Sequence, residues 1–364
     1  VSGARSLWRI SASLGLRSLP VPALAYIPLG YLLGSRHLNL LSPAVLDHLQ
    51  VVIWLALATL GVFVGLAMDL RSAMSRRLLG ASSIQAILTA VLVAAVAAAF
   101  MAHWRMPSAN AVAPVPIALG ICAAASAALL RRPSEDEAII IQIADLDDVI
   151  VILAAGVLFV SHTVPSLGSL VQAGVITATL GALIGMVGWL LFEGARSDAE
   201  RGVFVLGAVV LAGGTAAYVG LSPLLLGMVT GIVWRWTPGH ADRVVRSALD
   251  AIQHPLLVLL LVLTGAMLQM SITAMWLLTI IVIARFAGKL LGSWAAVRTL
   301  GRIAPAQLGA RLMPCGVLGV ATAIHFQALA GHPAGGLVLS AIALTTLVFE
   351  VVAVAAIAQD ERTA

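Results

Sequence analysis

Charge is scarce in this sequence. Only 10% of its 364 residues are Asp, Glu, Lys or Arg, against roughly 25% in an ordinary soluble domain. The hydrophobic share is 61% and the mean hydropathy +1.05. A soluble globular domain is excluded, and a polytopic membrane protein is indicated. The net charge of +5 is not a nucleic-acid footprint, because the arginines cluster in short loops between apolar runs. Cysteine is scarcer, with two residues. Cys122 and Cys315 both fall in apolar segments, which excludes a disulfide framework and leaves small apolar packing as their role. Lysine is rarer still: there is one, Lys289, against 20 arginines.

What the chain does have is long apolar runs. A spanning helix needs about 20 mostly apolar residues. Twelve runs qualify, near 20–35, 46–68, 80–103, 113–130, 138–160, 167–192, 202–219, 221–237, 253–269, 272–296, 305–329 and 335–357. They consume nearly the whole chain, so no soluble catalytic domain fits between them. Residues 1–19 are too polar to span and read as a short amphipathic helix on the membrane surface. Residues 20–360 read as one transmembrane domain and 361–364 as a tail. Cytoplasmic loops are enriched in Lys and Arg. With the N-terminus inside, the inner segments carry 16 arginines and the outer loops only Arg36 and Arg105. An odd number of spans would destroy that bias, so both termini are expected in the cytoplasm.

Two stretches repeat. Spans 1 and 2 contain "IPLGYLLGSRHLNLLSP" and "LATLGVFVGLAMDL"; spans 8 and 9 contain "LSPLLLGMVTGIVW" and "LLLVLTGAMLQM". Span 1 runs outward and span 8 inward, so spans 1–5 and 8–12 form inverted repeats, an architecture that places transport sites near the midplane on discontinuous helices. Spans 4 and 11 correspond under this pairing. Pro114, Pro116 and Gly120 in the first, and Pro314, Gly316 and Gly319 in the second, predict a helix break in each, since proline removes a backbone donor and glycine relaxes the helix. Close packing through small residues is the alternative.

The remaining charges are misplaced for a membrane. Span 5 carries Asp145, Asp147 and Asp148, and a carboxylate at the bilayer centre is penalised by about 2.5–3.5 kcal/mol on insertion scales. Asp147 lies ten residues beyond Glu137, about 15 Å deep, or half of a roughly 30 Å core. On a helix Asp148 sits angularly between the other two, and all three cannot face one cavity equally. Lys289 in span 10 lies nine residues before Arg298, hence about 14 Å from the cytoplasmic edge. An ammonium can lose its proton on burial, whereas a guanidinium stays charged. A solitary lysine at the depth of Asp147 is therefore either a titrating partner or half of a static ion pair. Arg285, Arg311 and Glu350 are also embedded and read as helix anchors, with Glu350 balancing either arginine. Gln142 and Ser126 could line a polar path, or simply satisfy neighbouring helices.

These residues resemble the monovalent cation:proton antiporters, specifically the branch of the Kef-type and electrogenic bacterial sodium/proton antiporters. "ADLDDVIVIL" resembles the family's paired-aspartate motif and "ARFAGKLLG" its arginine-glycine-lysine motif. "GLSPLLLGMVTGIV", "LLLVLTGAMLQ", "MPCGVLGVA" and "FEVV" resemble further helices, so the likeness covers most of the chain. It implies an all-α fold of a dimerisation scaffold and a six-helix core with spans 4 and 11 crossing where they unwind. Asp148 is then the main ion- and proton-binding carboxylate, and Asp147 pairs with Lys289 and also titrates. Asp145, Ser126, Gln142, Arg285 and Glu350 are the auxiliary candidates. No cofactor is implied beyond the transported H⁺ and Na⁺ or K⁺. The implied partners are the bilayer, these cations, protons and a second copy of the chain, with no nucleic acid, and the implied location is a bacterial inner membrane. The chain departs from the family at span 4, where "CAAASAALL" replaces a Thr-Asp pair, and at Asp145, a position usually apolar. The rivals are an ion channel or symporter on the same fold, and a non-transporting receptor or scaffold. An intramembrane aspartyl protease would need aspartates on different helices and a Gly-x-Gly-Asp signature, which the sequence lacks.

Overall fold

A computed structural model describes residues 23–68, 73–105, 113–124, 135–163, 167–237, 241–301, 308–330 and 334–363. Regular structure among them is helical. The helices are α1 (Ala23–Leu33), α2 (Pro43–His48), α3 (Gln50–Ala67), α4 (Ala73–His103), α5 (Pro114–Cys122), α6 (Glu135–Thr163) and α7 (Leu167–Glu193). They continue with α8 (Asp198–Val219), α9 (Pro223–Trp236), α10 (Ala241–Ala266), α11 (Ile272–Leu300), α12 (Leu308–Arg311), α13 (Val317–Ala330) and α14 (Gly335–Thr363). Each of the twelve apolar runs has a helix, and the run at 305–329 is divided between α12 and α13. Six described segments are long and apolar enough to cross a bilayer, in α3, α4, α7, α8, α11 and α14.

Helix ends follow local chemistry. Ser197 opens α8 by accepting the Glu200 N–H at 3.2 Å, and Glu200 Oε2 accepts the Arg196 N–H at 2.8 Å, a reciprocal cap that satisfies donors the helix leaves free. Gly220 closes α8 at φ 75°, where a side chain would be strained. Ser222 and Ser271 cap α9 and α11 the same way, with Pro223 at the first turn of α9.

Packing exposes the repeat. A Cβ on Gly30 of α1, or on Gly34 just after it, would run into the backbone of Val262 or Ala266 in α10; one on Gly227 or Gly231 of α9 would run into Ala58 or Val62 of α3. The reverse contacts also match: Gly61 abuts Leu224, and Gly265 abuts Ile27. The α1–α10 contact is thus repeated by α9–α3, as an inverted duplication requires. Small residues bring these helices to backbone contact because lipid supplies no hydrophobic force to drive helices together.

One core gathers α5, α10, α13 and α14 around Ile117, Leu260, Val320 and Ile342. A second joins α3, α8 and α9 through Val62, Val209 and Trp234. Trp234 also donates its indole N–H to Gly185 O at 2.7 Å, tying α9 to α7. The outer face of α7 leaves Val171, Val175, Leu183 and Leu190 exposed, as suits a surface solvated by acyl chains.

Candidate functional site

The two helices containing breaks meet at them. Helix α5 stops at Cys122, and Ala123 is extended (φ −57°, ψ 135°). Helix α12 stops at Arg311, and α13 begins only at Val317. The intervening strands of chain touch through an antiparallel bridge between Ala124 and Cys315. Gly120 and Gly319 pack backbone to backbone one turn away. Helix ends leave carbonyls without intrahelical donors, and inside a bilayer no water replaces them.

Arg285 of α11 answers that need. It is fully buried. Its Nη2 donates to Ala123 O at 3.2 Å, Met313 O at 2.9 Å and Pro314 O at 3.1 Å. One guanidinium therefore holds carbonyls from both broken segments. The Phe349 ring of α14 lies 5.0 Å from its centre, a cation–π contact. The sequence offered Glu350 as a charge partner for Arg285, but the hydrogen bonds of Arg285 run to the backbone of the crossing. Glu350 is buried beside Phe349, and Arg311 is exposed at the end of α12.

One turn further along α11, Lys289 is fully buried and donates to Asp147 Oδ2 at 3.1 Å; Asp147 is fully buried as well. The other oxygen of Asp147, Oδ1, accepts the Ser82 hydroxyl at 2.6 Å. Helices α4, α6 and α11 thus converge on one carboxylate. Their contact is tight because a Cβ at Gly288 or Gly292 would press on Thr89 or Gln85 of α4. Sequence reasoning missed Ser82. Its signal was the recurrence of Ser82, Gln85 and Thr89 at i, i+3 and i+7 along an otherwise apolar span, which places three polar groups on one helix face.

The neighbouring Asp148 differs. It is half-buried, and its Oδ1 is shielded from solvent yet accepts no hydrogen bond from the described residues. Asp145 and Gln142 are half-buried on the same helix. Ser126 lies outside the described residues. The arrangement therefore places a neutralised pair, Asp147 with Lys289, beside a carboxylate oxygen that has no donor. A buried anion without a donor is costly, so that oxygen is a place where a proton or a hard cation gains most. Oxygen ligands suit alkali cations by charge and hardness.

No protein-family model and no curated protein matches this chain. Among solved structures, it is similar to the sodium proton antiporter MjNhaP1 from Methanocaldococcus jannaschii, determined at pH 8. The TM-score is 0.66 at 15% identity, and the match covers 94% of each chain. The likeness shows a sodium/proton antiporter-like fold, with inverted repeats and two broken helices that cross.

Proposed function

We propose that this chain is a secondary-active antiporter that exchanges protons for Na⁺ or K⁺ across a membrane. One observation carries the reading: Asp148 presents a buried, donor-free carboxylate oxygen next to the fully buried Asp147–Lys289 pair, beside the crossing of two broken helices. The fold shared with a sodium proton antiporter supports it.

In this reading Asp148 is the principal seat. A carboxylate held away from water keeps either a proton or a compensating cation. The two compete for the same oxygen, so binding one expels the other and the fluxes couple. Release of a second proton from Lys289 or Asp147 makes the exchange electrogenic. Movement of the core helices against the scaffold opens the seat to either side in turn. Asp145 and Gln142 extend the polar path, Arg285 holds the crossing, and Ser126 and Glu350 remain auxiliary candidates. In this reading the protein works in a bacterial inner membrane with both termini cytoplasmic, as a homodimer through its exposed apolar faces. The structural neighbour does not single out the Kef-type branch, so the reading is kept at the level of cation:proton antiporters.

A transporter is favoured over an intramembrane protease because the three aspartates share α6. A channel or symporter on the same fold would move cations without proton counter-flow. The test is proton flux in proteoliposomes on addition of Li⁺, Na⁺, K⁺ or Rb⁺. Cation-driven dissipation of a pH gradient is expected in the wild type and not in Asp148→Asn. The absence of any cation-linked proton movement from mildly acidic to alkaline pH would contradict the reading.

A further inference from the structure

A second polar group lies unpartnered in the membrane core, away from the aspartates. His325 of α13 is 4% exposed, and its Nε2 has no hydrogen-bond partner among the described residues. It lines a partly open cavity of about 20 Å³, bordered by Pro116 and Leu119 of α5, by Ala155, Leu158 and Phe159 of α6, and by Thr322 and Phe326 of α13. The Phe159 ring covers the imidazole, with centroids 4.5 Å apart.

Three facts limit what this cavity can hold. A single water needs roughly 10–15 Å³, so there is room for one water and little more. A water also needs at least two polar partners. His325 Nε2 is one, and the Thr322 hydroxyl is the other: it already donates to Gly319 O at 2.7 Å but keeps acceptor capacity. Among the described residues, no acidic, basic or thiol side chain other than His325 lines the space, so a bare metal ion would find a single nitrogen and no counter-charge. Among the residues whose side chains are described, the ionisable groups on the elements packed against α13 are Asp145, Asp147 and Asp148 of α6, Cys122 of α5, Glu350 of α14, and Arg246 and His254 of α10.

The cavity has a fixed relation to the carboxylates. Asp148, Ala155 and Phe159 recur at i, i+7 and i+11 of α6, hence on one stripe, about 10 Å separating the first two along the axis. The cavity therefore stands on the C-terminal side of the crossing, over the same face of α6 that carries Asp148. An ionisable side chain inside a membrane domain is by default a candidate for a proton path.

We propose that this cavity is a hydrated proton-binding station: one water bonded to His325 Nε2 and Thr322 Oγ1, from which the imidazole takes a proton and to which it returns it. An O–H bond of a hydronium breaks as the Nε2–H bond forms, and the reverse step restores both. On the antiporter reading, on which its transport role rests, the station serves the half-path on the C-terminal side of α6.

Two measurements test it. In ¹⁵N-histidine-labelled protein in bilayers, the resonance lost in His325→Gln identifies the group. A cross-peak from its Nε2 to water protons, and protonation of that nitrogen on acidifying the medium, are expected. A dry nitrogen, or one that never protonates, overturns the station whether or not the protein transports. In proteoliposomes, His325→Gln is expected to flatten the pH dependence of exchange on that side about tenfold in rate, leaving the apparent cation affinity unchanged. His325→Phe, which fills the space, is expected to do the same. Superimposable wild-type and His325→Gln profiles overturn the transport role. Absence of coupled flux in the wild type sinks the antiporter reading alone, since the water measurement still decides the station.

Discussion

Replacing Lys289 by methionine removes one side of an ion pair whose two members are both fully shielded from solvent. Asp147 keeps only the Ser82 hydroxyl as a donor. Breaking a buried pair by deleting one partner costs about 3–5 kcal/mol, chiefly because the other charge is left uncompensated. At roughly 2 °C per kcal/mol, that is a fall in melting temperature of about 6–10 °C. Removing both charges is far milder, because neutral groups of similar volume replace a buried pair at little cost. The double variant Asp147→Asn/Lys289→Met is therefore expected to recover most of the loss. Lys289→Arg keeps the charge and is expected to fold. The assay is thermal unfolding in detergent, followed by tryptophan fluorescence. If Lys289→Met melts with the wild type, or the double variant is no better than the single, the pair does not carry the energy assigned to it.

Ser82→Ala deletes a hydrogen bond to a charged acceptor and is expected to lower stability by about 1.5–3 kcal/mol, measured in the same melts, while exchange persists at reduced rate. Arg285→Met leaves three carbonyls of the crossing without their donor, at about 1–3 kcal/mol for each left unpaired. Its melting temperature should fall further than that of Arg285→Lys, whose ammonium keeps charge without the planar fork. Gly227→Ala sets a methyl group against the Ala58 backbone and is expected to cost about 1–3 kcal/mol as overpacking; expression and melting report it. Asp148→Asn alters an oxygen that accepts no bond, so it should abolish exchange with little change in stability.

Much of the fold was legible because a bilayer imposes one length and one polarity on every span. The apolar runs marked the helices, and the prolines and glycines of spans 4 and 11 marked the breaks that became the α5 end and the α12–α13 gap. Depth arithmetic put Asp147 and Lys289 at one level, and the structure brings them to 3.1 Å. Their role in ion binding stays a proposal. Other features depended on contacts between distant helices, which no local pattern encodes. Arg285 looked like a partner for a carboxylate, because nothing in the sequence shows that two broken helices offer it carbonyls from either side. Ser82 was one hydroxyl among several.

Proton movement in proteoliposomes carrying wild-type protein or Asp148→Asn, with Na⁺ and K⁺ added in turn, tests the central claim most directly. The account predicts that at least one cation collapses the pH gradient in the wild type and neither does in the variant. Equal dissipation by both proteins, or none by either, would contradict it.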